Sequence, residues 1–139
     1  MLYQTSNIKY QKDKLDIKNN KTELFKRRLY SFTLRLIRFI ETLPANRTTR
    51  ILGDQLLRSG TSILANYIEA KAASSKKDYA NFFSYSLKSA NESKVWLSLL
   101  RDTGNGDKSE IAWLLEELNE ISKIFGSSIL TMRGKRNAI

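Results

Sequence analysis

From Thr22 to Met132, apolar residues return every three or four positions in four blocks, and only three short interruptions separate the blocks. That spacing keeps side chains on one face of a helix with about 3.6 residues per turn, so each block reads as an amphipathic helix. In the first block the stripe is Phe25, Leu29, Phe32, Leu36, Ile40 and Leu43. Thr22 is placed to cap it, and Pro44 stops it because the residue before a proline is pushed out of the α region; a helix over 23–43 follows. The second begins near Arg47 or Thr48 and carries Leu52, Leu56, Ser59, Ile63, Asn66 and Ala70. Gly60 within it costs about 1 kcal/mol relative to alanine, which implies close approach of another backbone.

Ser74 and Ser75 interrupt the pattern before a third helix over 76–101, with Tyr79, Phe83, Leu87, Ala90, Leu97 and Leu100 inward. The run 102–107, Asp-Thr-Gly-Asn-Gly-Asp, is the strongest turn signal, since glycine and asparagine tolerate positive φ. A fourth helix over 108–132 turns Ile111, Leu115, Leu118, Ile121 or Ser122, Phe125 and Ile129 to one side. No period-two stretch competes, so the expected fold is all-α: an antiparallel up-down-up-down four-helix bundle over 22–133. Residues 1–21 are polar, with Lys9, Lys12, Lys14, Lys18 and Lys21 set against Asp13 and Asp16, and read as a flexible basic arm. Residues 134–139 read as a short basic tail containing Lys135 and Arg136.

Composition narrows the function. The 139 residues include no histidine and no cysteine. Histidine general bases, Ser-His and Cys-His dyads, thiolate chemistry and the usual imidazole or thiolate zinc sites are therefore excluded, and an enzyme is not expected. Neither a metal nor a cofactor is implied: Glu116 and Glu120 stand one turn apart, but hard cations recruit more than two oxygen ligands. The 24 Lys+Arg against 14 Asp+Glu give a net charge of +10, which favours a polyanionic partner such as RNA or DNA. No stretch is apolar enough to span a bilayer, and the amino terminus lacks a secretory core, so a cytoplasmic protein without a membrane partner is the simplest expectation.

The cations concentrate on the first helix. Lys26, Arg27, Arg28, Arg35 and Arg38 stand against only Glu23 and Glu41, and the four arginines cluster opposite the apolar stripe. Arg47, Arg50 and Arg58 extend this ridge along the second helix, where Arg50–Asp54 and Asp54–Arg58 have the spacing of local ion pairs. The fourth helix carries the opposite bias, with Glu110, Glu116, Glu117 and Glu120, and its acidic face could meet the basic ridge of a neighbouring subunit. Ser59, Thr61, Ser62, Asn66 and Glu69 suggest tight packing around Gly60 rather than a catalytic serine, with Asn66 and Glu69 bonding across the bundle to Asn91 or Glu92. Trp96 and Trp113 read as packing residues; Tyr67 or Tyr85, if exposed, could stack on unpaired bases.

Two blocks carry a family resemblance. Residues 55–70, Gln-Leu-Leu-Arg-Ser-Gly-Thr-Ser-Ile-Leu-Ala-Asn-Tyr-Ile-Glu-Ala, resemble the signature of the four-helix bundle proteins encoded in 23S ribosomal RNA intervening sequences. Residues 87–100, Leu-Lys-Ser-Ala-Asn-Glu-Ser-Lys-Val-Trp-Leu-Ser-Leu-Leu, look like the third helix of that family, and the Leu43-Pro44 break falls where the family has one. The likeness covers roughly residues 23–130, with Leu64, Tyr67 and Ile68 bulkier than the family pattern. It implies a homo-oligomeric, typically pentameric bundle without catalytic activity. A related branch implies an accessory protein of diversity-generating retroelements that engages a reverse transcriptase and its RNA. Leu34, Ile37, Leu57, Leu64 and Tyr67 lie off the main stripes and agree with a ring-like homo-oligomer. The functional expectation is a non-enzymatic nucleic-acid-binding protein whose contacts are Lys26, Arg27, Arg28, Arg35, Arg38, Arg47, Arg50 and Arg58; the alternative is a scaffold that docks an acidic protein.

Overall fold

A computed structural model describes residues 2–134, with side-chain environments given except at 2–7, 10, 15, 18 and 19. The described residues form four helices and no strand: α1 (Leu2–Glu41), α2 (Arg47–Lys71), α3 (Lys76–Asp102) and α4 (Lys108–Arg133). Short connections reverse the chain at each step, so sequential helices pack antiparallel, and α1 also meets α4 to close the bundle. None of the described helices is long and apolar enough to cross a membrane.

Each start after the first is fixed by a cap. The Asn46 side chain accepts from Thr49 N at 2.9 Å, and Thr49 Oγ1 accepts from Asn46 N at 3.2 Å, a reciprocal capping box for α2. Ser75 Oγ accepts from Asp78 N at 3.1 Å, and Asp107 Oδ1 from Glu110 N at 2.9 Å. The turn before α4 rests on Gly104 and Gly106, at φ 74° and 88°, where L side chains are strained.

The amino-terminal segment corrects the sequence reading. Thr22 caps nothing: α1 runs unbroken back to Leu2, so the segment read as a flexible arm is helical. No glycine or proline lies before Pro44, and extending a helix already nucleated by the bundle adds one hydrogen bond per residue fixed, without a new nucleation cost. Ile8 and Ile17 on this extension are exposed. At the other terminus, Gly134 caps α4, and the rest of the basic tail lies outside the described residues.

The core confirms the stripes with local shifts. Leu29, Phe32, Leu36, Leu56, Ile63, Leu97, Leu100, Ile111, Leu118 and Phe125 are buried, as are Phe39, Leu114 and Ile121, while Leu115 is only half-buried. Ser122, weighed against Ile121, is not the stripe residue. Tyr67, expected off the stripe, is 2% exposed and part of the core.

Small residues hold α2 against its neighbours. The buried hydroxyls of Ser59 and Ser93 share a hydrogen bond at 2.8 Å between α2 and α3, and Ser86 Oγ donates to Ile63 O at 2.9 Å. The polar string of α2 does pack tightly, but Asn66 bonds within its own helix rather than to Asn91 or Glu92: its Nδ2 donates to Ser62 O and Oγ, both at 2.9 Å, since a residue one turn back on a helix is always within reach. Among the described residues no cross-bundle bond involves Glu69, which is exposed.

A Cβ added at Gly60 would lie 2.0 Å from Cδ2 of Leu36, a side chain with no solvent to move into. Gly60→Ala should therefore lose stability, because overpacking by about 1–3 kcal/mol outweighs a helix-propensity gain of about 1 kcal/mol. Gly126→Ala, where a new Cβ meets nothing within 4 Å, should gain about 0.5–1 kcal/mol. Denaturant midpoints of the two variants, with unchanged slopes, check both signs.

Candidate nucleic-acid interface

The structure splits the expected basic ridge into cations the fold consumes and cations it leaves. Arg28 is consumed: its Nε and NH2 donate to Glu117 Oε2 and Oε1 at 3.0 and 2.6 Å. Arg35 repeats the arrangement on Glu110, at 2.6 and 3.0 Å, and its guanidinium lies 3.5 Å from the centroid of the Trp113 ring. Both are bidentate, the strongest geometry an arginine offers a carboxylate. Two of the four glutamates expected to face a neighbouring subunit, Glu110 and Glu117, thus find basic partners within the same chain, whereas Glu120 pairs with Lys123 of its own helix and Glu116 is exposed. The cause is register: Arg28 and Arg35 stand two turns apart on α1, Glu110 and Glu117 stand two turns apart on α4, and antiparallel packing matches first with last.

The electrostatics follow the geometry. The hydrogen bond to Glu117, partly opposed by desolvation, raises the Arg28 pKa above its ordinary value, and Glu110 does the same for Arg35. In return, the Arg35 hydrogen bonds hold the Glu110 carboxyl below its ordinary range.

Two further candidates are partly engaged. Arg27 lies 3.7 Å from Glu23 on its own helix, with both side chains mostly exposed, a contact worth little in water. Arg58 pairs with Glu92 of α3 and donates to Gln55 at 3.1 Å, so the expected Asp54–Arg58 and Arg50–Asp54 pairs do not form. Tertiary packing brings Glu92 to Arg58, and a cross-helix carboxylate competes with the same-helix one.

Lys26, Arg38, Arg47 and Arg50 remain. All four are exposed, and none of their side chains makes an ion pair or hydrogen bond among the described residues. Arg38 ends α1 while Arg47 and Arg50 open α2, so the 42–46 turn brings these three to one end of the bundle. Lys26 sits apart, on a groove between α1 and α2 that is lined by Tyr30, Leu64 and Ile68. Of the tyrosines considered for stacking, Tyr67 is in the core and unavailable; Tyr85 is 47% exposed. Trp113 was read as packing, and its stacking on Arg35 went unanticipated, although Glu110, Trp113 and Glu117 share one face of α4 by their spacing of three and four.

Because the Glu110 pKa is depressed in the folded chain, folding there releases protons, and the stability it adds is complete above the ordinary glutamate pKa of about 4.3 and is lost as pH falls through the folded value. Glu110→Gln should unfold at lower temperature than the parent at pH 7, and the two curves should converge below about pH 4. Arg28→Gln should cost at most about 1 kcal/mol, the upper range for partly exposed pairs. Thermal unfolding from pH 3 to 8 checks both.

Comparison with known proteins agrees with this architecture. The model of the 23S rRNA-intervening sequence protein family matches residues 23–127, so α1 beyond the bundle lies outside the match. A solved structure from Bacteroides thetaiotaomicron, a protein with unknown function from the S23 ribosomal protein family, is 33% identical, covers 75% of this chain and 96% of its own, and superposes with a TM-score of 0.69. No curated protein matches. With most of the bundle matched by the family model, and its fold by a solved relative, the chain belongs to the 23S rRNA-intervening sequence protein family.

Proposed function

We propose that this protein is a non-enzymatic, homo-oligomeric binder of the RNA or DNA backbone, and that the contacts come from the cations its fold leaves unpaired. The observation that carries this reading is the division of the eight candidate cations: Arg28 and Arg35 are spent on α4, whereas Lys26, Arg38, Arg47 and Arg50 have no partner among the described residues of a chain of net charge +10. Exposed arginines without carboxylates attract phosphates at no cost in broken ion pairs. The lysines of the helical extension, Lys9, Lys12, Lys14 and Lys21 among them, add a cationic rod at the opposite end.

Assembly supports the same reading. Leu24, Tyr30, Leu34, Leu57 and Ile68 are all more than a third exposed along α1 and α2, and Tyr30 and Ile68 line one apolar groove that a second copy could cover. A pentameric ring, as the family resemblance implies, would repeat the unpaired cations around an axis. Docking on a reverse transcriptase and its RNA is the finer form of this proposal.

The test separates structural from binding cations. The quadruple variant Lys26→Gln, Arg38→Gln, Arg47→Gln, Arg50→Gln should fold and assemble normally, bind unrelated sequences more weakly alike, and lose up to about 0.9 of salt slope per duplex contact removed, or about 0.7 per single-strand contact. Arg28→Gln with Arg35→Gln should lower the unfolding temperature and leave the salt slope nearly unchanged. Unchanged affinity and slope in the quadruple variant would transfer the surface to an acidic protein partner. Light scattering at micromolar concentration giving a monomer mass would remove the oligomer.

A further inference from the structure

Among the described residues, the end of the bundle where α2 runs into α3 is open. A cavity of about 580 Å³ lies there, with all four helices contributing to its walls. The floor is aromatic: Phe25 from α1, Tyr67 from α2, and Tyr79 and Phe83 from α3. Tyr79 and Phe83 lie 4.7 Å apart between centroids, and Phe25 meets Tyr67 edge-on at 5.3 Å. These contacts fix the rings before any ligand arrives.

A cation is held over this floor. Lys71 Nζ donates to the Tyr79 hydroxyl at 2.7 Å and lies 5.1 Å from the centroids of both Tyr67 and Tyr79. The Tyr79 hydroxyl holds the ammonium at that ring's edge, and the face of Tyr67 carries negative potential that stabilises it without neutralising it. Among the described residues, no carboxylate pairs with Lys71 or with Lys21, which also lines the cavity; Glu23 is turned to Arg27, and Glu69 and Asp78 make no ion pair. Ser127 and Thr131 of α4 add hydroxyls to the wall.

The volume is in the range of small-molecule sites, and the lining combines what such a site needs: flat apolar surface with a few polar groups that fix orientation. A planar ring with a hydroxylated linker and an anionic head matches it part for part. We infer that this end cavity binds a nucleoside phosphate, with the base against Tyr79 and Phe25, the phosphate on Lys71 and Lys21, and the sugar beside Ser127 and Thr131. The ligand chemistry has two sources, a free nucleotide or the terminal nucleotide of a strand. The second source rests on the nucleic-acid reading above; the first does not.

The experiment uses the full chain and three probes: adenosine 5′-monophosphate, a linear 5′-phosphorylated single-stranded oligonucleotide, and the same oligonucleotide closed into a circle. Binding is read by fluorescence polarisation for the strands and by NMR shifts of Tyr79 and Lys71 for the mononucleotide. For a strand end, the linear form should bind about tenfold more tightly than the circle, as expected for one stacked base. Lys71→Gln, at an exposed position, and Tyr79→Ala should each abolish that preference, and adenosine 5′-monophosphate should compete. If the mononucleotide shifts Tyr79 and Lys71 while linear and circular strands bind alike, the cavity holds and its ligand is the free nucleotide. If the mononucleotide binds but neither strand does, the cavity holds and the nucleic-acid reading fails. If both strands bind alike and the mononucleotide shifts neither residue, the cavity proposal is overturned and the backbone reading stands. Adenosine binding as tightly as its monophosphate would also overturn it, since Lys71 and Lys21 would then do nothing.

Discussion

A four-helix bundle must close: whatever α2 and α3 bury, α1 and α4 have to meet for the core to be covered on its fourth side. That seam is the narrowest helix contact in this molecule, whereas α2 against α3 is the broadest. It is held by Phe25 edge-on to Phe125, with ring centroids 5.4 Å apart, and by two bidentate arginine–carboxylate pairs in antiparallel register. Each pair is partly exposed and individually modest in energy. Their larger effect is on specificity, because a slip of α4 by one turn would set Arg28 and Arg35 beside the wrong carboxylates or none.

The same pairs decide what the surface can do. A ridge of four arginines on one helix looks uniform as a string of letters, yet the fold makes two of them structural and leaves Arg38 to join Arg47 and Arg50 across a turn. The exposed cations without a partner among the described residues therefore gather not along the side of α1 but toward one end of the bundle. The opposite end is set apart by a different mixture, aromatic rings around a lysine that bonds to the Tyr79 hydroxyl, with the lysine-bearing extension of α1 leading away from it.

How much of this was legible depends on whether local periodicity or tertiary partnership controlled the outcome. The stripes of α2 and α3, the break at Ser74 and Ser75, and the glycine turn before α4 are local, and spacing and turn chemistry expose them; the caps at Asn46 and Ser75 emerged only with the structure. Gly60 was legible as a close approach because a glycine within a helix needs a reason; Leu36 is that reason. The start of α1 was not legible, since a polar lysine-rich segment has the composition of a disordered arm and its helix grows from one that the core has already nucleated. Asn66 turned to Ser62 instead of Asn91 because a same-helix acceptor one turn back is always within reach. The pairing of Arg28 and Arg35 was within reach of the sequence, in the matched two-turn spacings of α1 and α4, but those spacings acquire meaning only once the helices are known to be adjacent.

The central claim is that the fold sorts its cations into a structural set and a binding set. Arginine side-chain NMR during titration with single-stranded RNA observes the sorting directly, because each Nε–H reports its own partner. The account predicts that the Nε signals of Arg38, Arg47 and Arg50 move with added RNA while those of Arg28 and Arg35, held by Glu117 and Glu110, stay in place. Movement of Arg28 and Arg35 together with loss of their carboxylate contacts, and stillness of the other three, would contradict it.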